Sequence, residues 1–193
     1  MKNLLYVLMF FGLTNLLNAQ QTDFGVRVGS SFTNFDGIDR GGSSFGVWFH
    51  GGAFVSIGIS NNVVFEPALL FARKGAINTG LTSKWSARND YLDIPLVLKG
   101  NVSEVLFVFF GIQPSLLIKP VAIIDDGSNR ITVGGDEIRD LYKEFDFAGI
   151  IGLGFNLPLG LSTQVSYEHG FTSIFENGEI FNRGIKLSLS KLF

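Results

Sequence analysis

Long stretches of this chain alternate apolar and polar side chains with a period of two, the mark of extended backbone with two unlike faces. The clearest runs from Asn89 to Lys99. Leu92, Ile94, Leu96 and Leu98 fall on one face, and Tyr91, Asp93, Pro95, Val97 and Lys99 on the other. Leu161, Thr163, Val165 and Tyr167 likewise oppose Ser162, Gln164, Ser166 and Glu168. Near the end Ile185, Leu187, Leu189 and Phe193 oppose Gly184, Lys186, Ser188 and Ser190. Near the start Phe24, Val26, Val28 and Phe32 oppose Gly25, Arg27, Gly29 and Ser31. A helix, with its period of 3.6, cannot keep such rows on separate faces.

Four further segments have strand length with a weaker pattern: Phe45–Ile59, Asn62–Gly75, Glu104–Ile118 and Glu144–Leu157. Together these make about eight strands, an allowed even number for a small barrel. The connections alternate in length. Short ones lie near Ser60-Asn61, Gly100–Ser103 and Pro158-Leu159-Gly160. Long ones are Asp36–Ser44, Ala76–Arg88, Asp125–Lys143 and Phe171–Phe181. Outer-membrane barrels have short periplasmic turns and longer outer loops, and an even strand number returns both termini to the side of the short turns. The expected fold is therefore all-β: a closed antiparallel transmembrane β-barrel of about eight strands, with apolar rows on lipid and polar rows in the lumen.

Composition bears on the rivals. Charged residues make up 17% and hydrophobic ones 46%, with 20 Phe and 24 Gly, so one face of each strand is too apolar for water unless it turns inward, as in a soluble lipocalin-like barrel. Membrane helices fit poorly. Val105–Ile118, the longest apolar run past the N-terminus, is short for a span and holds Gly111, Gln113 and Pro114. A formal charge of −2 gives no basic footprint for nucleic acid. The absence of cysteine excludes disulfides, thiolate metal sites and thiol nucleophiles.

Met1-Lys2-Asn3 is a short basic start, Leu4–Leu17 is mostly apolar, and Asn18-Ala19 offers a small residue before Gln20. This is the layout of a signal peptide over residues 1–19, cleaved after Ala19, with the barrel domain over residues 20–193. The apolar core of about 14 residues is short for a membrane anchor. Export through such a leader, followed by a barrel closed by a terminal Leu192-Phe193, places the protein in the outer membrane.

The residues also resemble the PorT-like outer-membrane β-barrel family. Tyr91-Leu92-Asp93-Ile94-Pro95-Leu96 looks like its Tyr-Leu-x-Ile-Pro-Leu strand, and Gly25-Val26-Arg27-Val28-Gly29 is similar to its opening strand, with Arg27 where Lys is common. Glu66 through Gly75 resembles the third strand and its exit. Gly111-Ile112-Gln113-Pro114-Ser115 is similar to the fifth, departing from the usual Gly-Pro order. Phe147 through Gly154 resembles the sixth. The resemblance spans nearly all of the chain after the leader. It implies an outer-membrane barrel from a family with no single activity, some of whose members serve protein secretion.

The polar rows collect Arg27, His50, Glu66, Asp93, Asp146, Glu168 and Lys186. Eight strands enclose an interior that side chains just fill, and ions away from bulk water must pair. These seven residues are therefore read as an interior polar network plugging the barrel, with Arg27 and Lys186 neutralising carboxylates where the first and last strands meet. The alternative is a narrow or gated pore for small solutes. A rim enzyme would draw on His169, Ser173 and Asp90, but no nucleophile elbow, phosphate loop or metal motif accompanies them, and Asp125-Asp126-Gly127 lacks the spacing of a calcium loop. The expectation is no catalysis, no cofactor and no metal. The expected partners are outer-membrane lipid and, through Asp125–Lys143, another envelope protein. In that loop Ile138, Leu141 and Tyr142 are spaced for a turn of amphipathic helix. Trp48, Trp85, Tyr91 and Tyr167 suit either interfacial girdles or packing inside the barrel.

Overall fold

Alternation becomes architecture through the ladder. The computed structural model describes residues 22–37, 42–79, 84–125 and 129–193, so the leader read over residues 1–19 lies outside the described residues. Ten strands form one antiparallel sheet: β1 (Thr22–Gly37), β2 (Ser44–Ser60), β3 (Val63–Thr79), β4 (Lys84–Asp93), β5 (Leu96–Asn101), β6 (Leu106–Asp125), β7 (Arg130–Gly134), β8 (Phe145–Leu157), β9 (Leu161–Gly170) and β10 (Ile180–Leu192). β1 pairs with β2 on one side and β10 on the other, so the sheet closes and no long edge is left.

Around the ring there are eight staves. β4 and β5 are one stave interrupted at Ile94-Pro95: both pair with β3 and with β6. Pro95 has no N–H to give the ladder, but its carbonyl accepts from the Ala68 amide at 2.9 Å, and the Ile94 amide reaches the Pro114 carbonyl at 2.8 Å. β7 is a hairpin on the outer extension of β6.

The faces sort as the alternation requires. Phe24, Val26 and Val28 on β1, Leu69 on β3, and Leu187 and Leu189 on β10 are exposed, and Ile151 on β8 is 63% exposed. Arg27, Glu66, Asp93 and Lys186 are buried. Glycines make room for large inward side chains. A β-carbon on Gly29 would collide with the His50 ring, and one on Gly154 with Phe107.

The three short connections gather at the end that holds the start of β1 and the end of β10. Two long connections are shorter than the sequence suggests. Most of Ala76–Arg88 is strand, because β3 runs to Thr79 and β4 begins at Lys84. Asp125–Lys143 contains β7 and one helical turn at Asp136–Arg139. Beside that turn Tyr142 is buried and Ile138 packs against its cluster, while Leu141 stays exposed.

Candidate functional site

The inward rows build three stacked layers. In the lowest, the Arg27 guanidinium on β1 reaches Glu66 on β3 at 2.5 Å, donates to the Ser190 hydroxyl on β10 at 2.9 Å, and lies over the Phe54 ring. Lys99 on β5 stands 3.8 Å from the second Glu66 oxygen, with its ammonium over Phe107. One carboxylate on β3 thus joins two inward cations that come from strands on either side of it.

The middle layer is centred on Asp93, which is fully buried at the end of β4. Its Oδ1 meets Lys74 at 2.8 Å and its Oδ2 meets Lys186 at 2.9 Å. Lys186 also pairs with Glu168 at 2.8 Å. Gln113 donates to Glu168 at 3.2 Å and Lys74 to the Ser115 hydroxyl at 3.1 Å, which satisfies further donors. His50 stands between two hydroxyls, Ser31 at 2.8 Å and Ser188 at 2.9 Å. A hydroxyl can give or take a proton, so this pair suits either imidazole tautomer.

Higher up, Asp146 accepts from the Thr172 hydroxyl and the Asn182 amide, both at 2.9 Å. Above it the barrel is roofed. Ile174, only 1% exposed, packs with Phe35, Ala76 and Ala87, and Trp85, Phe175 and Ile180 surround them. Backbone hydrogen bonds join this roof to the neighbouring outer loop, from Lys143 N to the Ile174 carbonyl at 2.9 Å and from Glu176 N to the Leu141 carbonyl at 3.1 Å. Tyr142 and Phe175 form a β-bridge between the same two loops, their ring centroids 4.6 Å apart.

The seven residues of the expected network all face inward, in two groups and two solitary positions. Arg27 meets Glu66, and Lys186 meets Asp93 and Glu168; His50 and Asp146 use neutral partners. Sequence reasoning missed Lys74, Lys99, Gln113 and Ser115 as members. With Lys74 and Lys99 included, Arg27, Lys74, Lys99 and Lys186 face Glu66, Asp93, Asp146 and Glu168, so the interior charges cancel. The space left among Arg27, His50, Gln113 and Lys186 is about 20 Å³, room for about one water.

Other expected roles resolve differently. Trp48, Trp85 and Tyr91 lie on inward rows, and Tyr91 is fully buried, which removes the three from a girdle. Tyr167 is exposed and stacks with His169, which in turn meets Phe171. The rim candidates do not assemble. His169 meets the Tyr167 hydroxyl at 3.3 Å, Ser173 donates to the Gly178 carbonyl at 2.8 Å, and Asp90 accepts two bonds from Arg73. Among the described residues no three His, Asp or Glu side chains converge on a metal position.

The sequence profile of a family described as outer membrane protein beta-barrel domain matches residues 18–176. Among solved structures, Neisserial surface protein A is similar at a TM-score of 0.54 and 11% identity, over 90% of this chain and 99% of that one. The attachment invasion locus protein Ail of Yersinia pestis, solved with the heparin analogue sucrose octasulfate, is similar at a TM-score of 0.52 and 12% identity, again over 90% and 99%. These likenesses show a shared fold. No curated protein sequence matches the chain.

Proposed function

The chain belongs to the outer membrane protein beta-barrel domain family, and we propose that it acts there as a closed, non-enzymatic scaffold. In this reading it is an accessory of the envelope or of protein secretion, and the resemblance of its Tyr91–Leu96 strand to PorT-like barrels supports that direction. One observation carries it: the lumen is filled by a charge-neutral, hydrogen-bonded network and roofed by Ile174, leaving a void of about 20 Å³. A solute path needs a continuous opening, and a network whose ions are already paired offers none.

Function then falls to the outer loops, which a rigid barrel holds in place. Ile131 and Leu141, on the Asp125–Lys143 segment, are exposed apolar side chains on the outer side, suited to contact with another envelope protein. Planar-bilayer recordings of the refolded barrel should show no reproducible conductance steps. Regular steps would favour the narrow or gated pore. Crosslinking in intact outer membranes should capture a protein that Leu141→Asp releases. Equal capture by the variant would remove this loop from the contact.

A further inference from the structure

The outward face of the barrel changes character abruptly on one side. On β3, β4 and β6 the register sets Phe71 beside Leu92 and Leu92 beside Leu116, an unbroken apolar row. One step outward the same register sets Arg73 beside Asp90 and Asp90 beside Lys119, and the next sets Gly75 beside Arg88 and Arg88 beside Val121. On three neighbouring strands the outward row thus turns from apolar to charged at Arg73, Asp90 and Lys119, with Arg88 one row further out.

That height is fixed by geometry. From Val63 to Phe71 the strand climbs roughly 26 Å at ~3.3 Å per residue, or about 20 Å of height at the usual ~40° tilt, close to the ~25 Å apolar band of such barrels. The charged row therefore stands where the hydrocarbon of the outer leaflet gives way to headgroups. Elsewhere at the outer ends, Phe45 on β2 and Phe145 and Phe147 on β8 face outward, while β1 and β10 carry a pair that neutralises itself, Arg183 with Asp36 at 3.3 Å.

The cations are also placed and left available. Pro120 supplies no ladder N–H, and the register slips beside it, so that Ile118 and Lys119 are both exposed in succession. Arg73 is held by a fork to Asp90 at 2.6 and 2.9 Å and lies over the Phe49 ring. Arg88 and Lys119 make no ion pair within the described residues, and the single carboxylate of the patch is engaged by Arg73. Two unneutralised cations at the edge of hydrocarbon call for an anionic group fixed at that same height.

We propose that Arg73, Arg88 and Lys119 form a binding site for the phosphate groups of a glycolipid in the outer leaflet. Phosphate suits the site because its oxygens accept from Arg and Lys together, and burial of the attached acyl chains along Phe71, Leu92 and Leu116 adds what a free anion lacks.

The test is native mass spectrometry of the full chain folded in non-ionic detergent and titrated with diphosphoryl lipid A, with dephosphorylated lipid A, and with inorganic pyrophosphate. The diphosphoryl lipid should bind saturably, and the Arg88→Gln, Lys119→Gln double variant should bind it roughly thirtyfold more weakly, the combined worth of two cations at a membrane surface. Lys191→Gln, at the opposite end of the barrel, should bind as the unaltered chain does. Heat-modifiable gel mobility checks that each variant is folded, and both substitutions lie on an exposed face. Unchanged binding by the double variant, or equal binding of the dephosphorylated lipid, overturns the proposal. Pyrophosphate binding as tightly as the lipid would make this a free-anion site and overturn it too.

Discussion

Arg73 and Lys74 are consecutive in sequence and live in different solvents. Lys74 points into the barrel, is buried, and meets Asp93 at 2.8 Å. Arg73 points out and meets Asp90 at 2.6 Å, its side chain 28% exposed. The two ion pairs have nearly the same length and similar chemistry. What separates them is what surrounds each charge when its partner is taken away. Inside, nothing mobile replaces a lost carboxylate; outside, water, salt and lipid headgroups do.

The sharpest way to break that contrast is Asp93→Ala. It strands Lys74 in the lumen and leaves Lys186 with Glu168 alone, and removing one partner of a buried pair costs about 3–5 kcal/mol. Urea unfolding in lipid vesicles, followed by gel mobility, should show a loss of that order. A loss under about 1 kcal/mol would mean that the lumen is wet enough to solvate free ammonium groups, and the inside would no longer differ from the outside.

The converse substitution puts a charge where only lipid can meet it. Ile151 lies midway along β8, facing out. Ile151→Arg should cost about 2–4 kcal/mol, the penalty for a cation near the midplane on the lipid face. A neutral result would mean that this face meets water, and the barrel would be a soluble one turned inside out.

How much of this was legible in the chain follows from parity. Arg27, His50, Glu66, Asp93, Asp146, Glu168 and Lys186 were readable as inward because each shares the phase of its strand's polar row. Lys74 has the same phase as Glu66, eight positions on, and Lys99 that of Asp93, so the signal for both was present. Lys99 stood on the polar row as the last residue of its stretch and was not carried into the network. Lys74 was missed because Arg73, Asp90 and Arg88 face outward and are polar, which ends the apparent alternation before the strands themselves end. That is the cost of reading strand length from hydrophobicity: strands go on past the hydrocarbon, but their apolar rows do not. The same effect made the Ala76–Arg88 loop look long. The roof was unreadable for another reason. Ile174 and Phe175 are apolar residues in a loop with no period, and only the meeting of two loops gives them a place.

That roof offers an intermediate case, apolar and near the surface. Ile174→Ala removes a side chain packed on Phe35, Ala76 and Ala87. Core truncations of this kind cost about 2–5 kcal/mol, and a loop can settle into part of the gap, so about 2 kcal/mol is expected. Protease cleavage within residues 171–179 should speed up. Conductance should stay absent, because the paired ions beneath are untouched. Channel steps in this variant would shift the plug from the ionic layers to the roof.

The smallest effect should come from the outer partner of the opening pair. Asp90→Ala frees Arg73 on the outward rim, where both side chains are partly exposed and an ion pair is worth about 1 kcal/mol at most. Salt makes the comparison with Asp93→Ala decisive, since exposed charges are screened within roughly 10 Å at ~0.1 M ionic strength while buried ones are screened much less. Raising the salt should therefore erase what little Asp90→Ala costs and leave most of the Asp93→Ala loss in place. If both losses shrank together, water and ions would be reaching Lys74 as freely as Arg73, and the wall between the two residues would not be acting as a dielectric boundary.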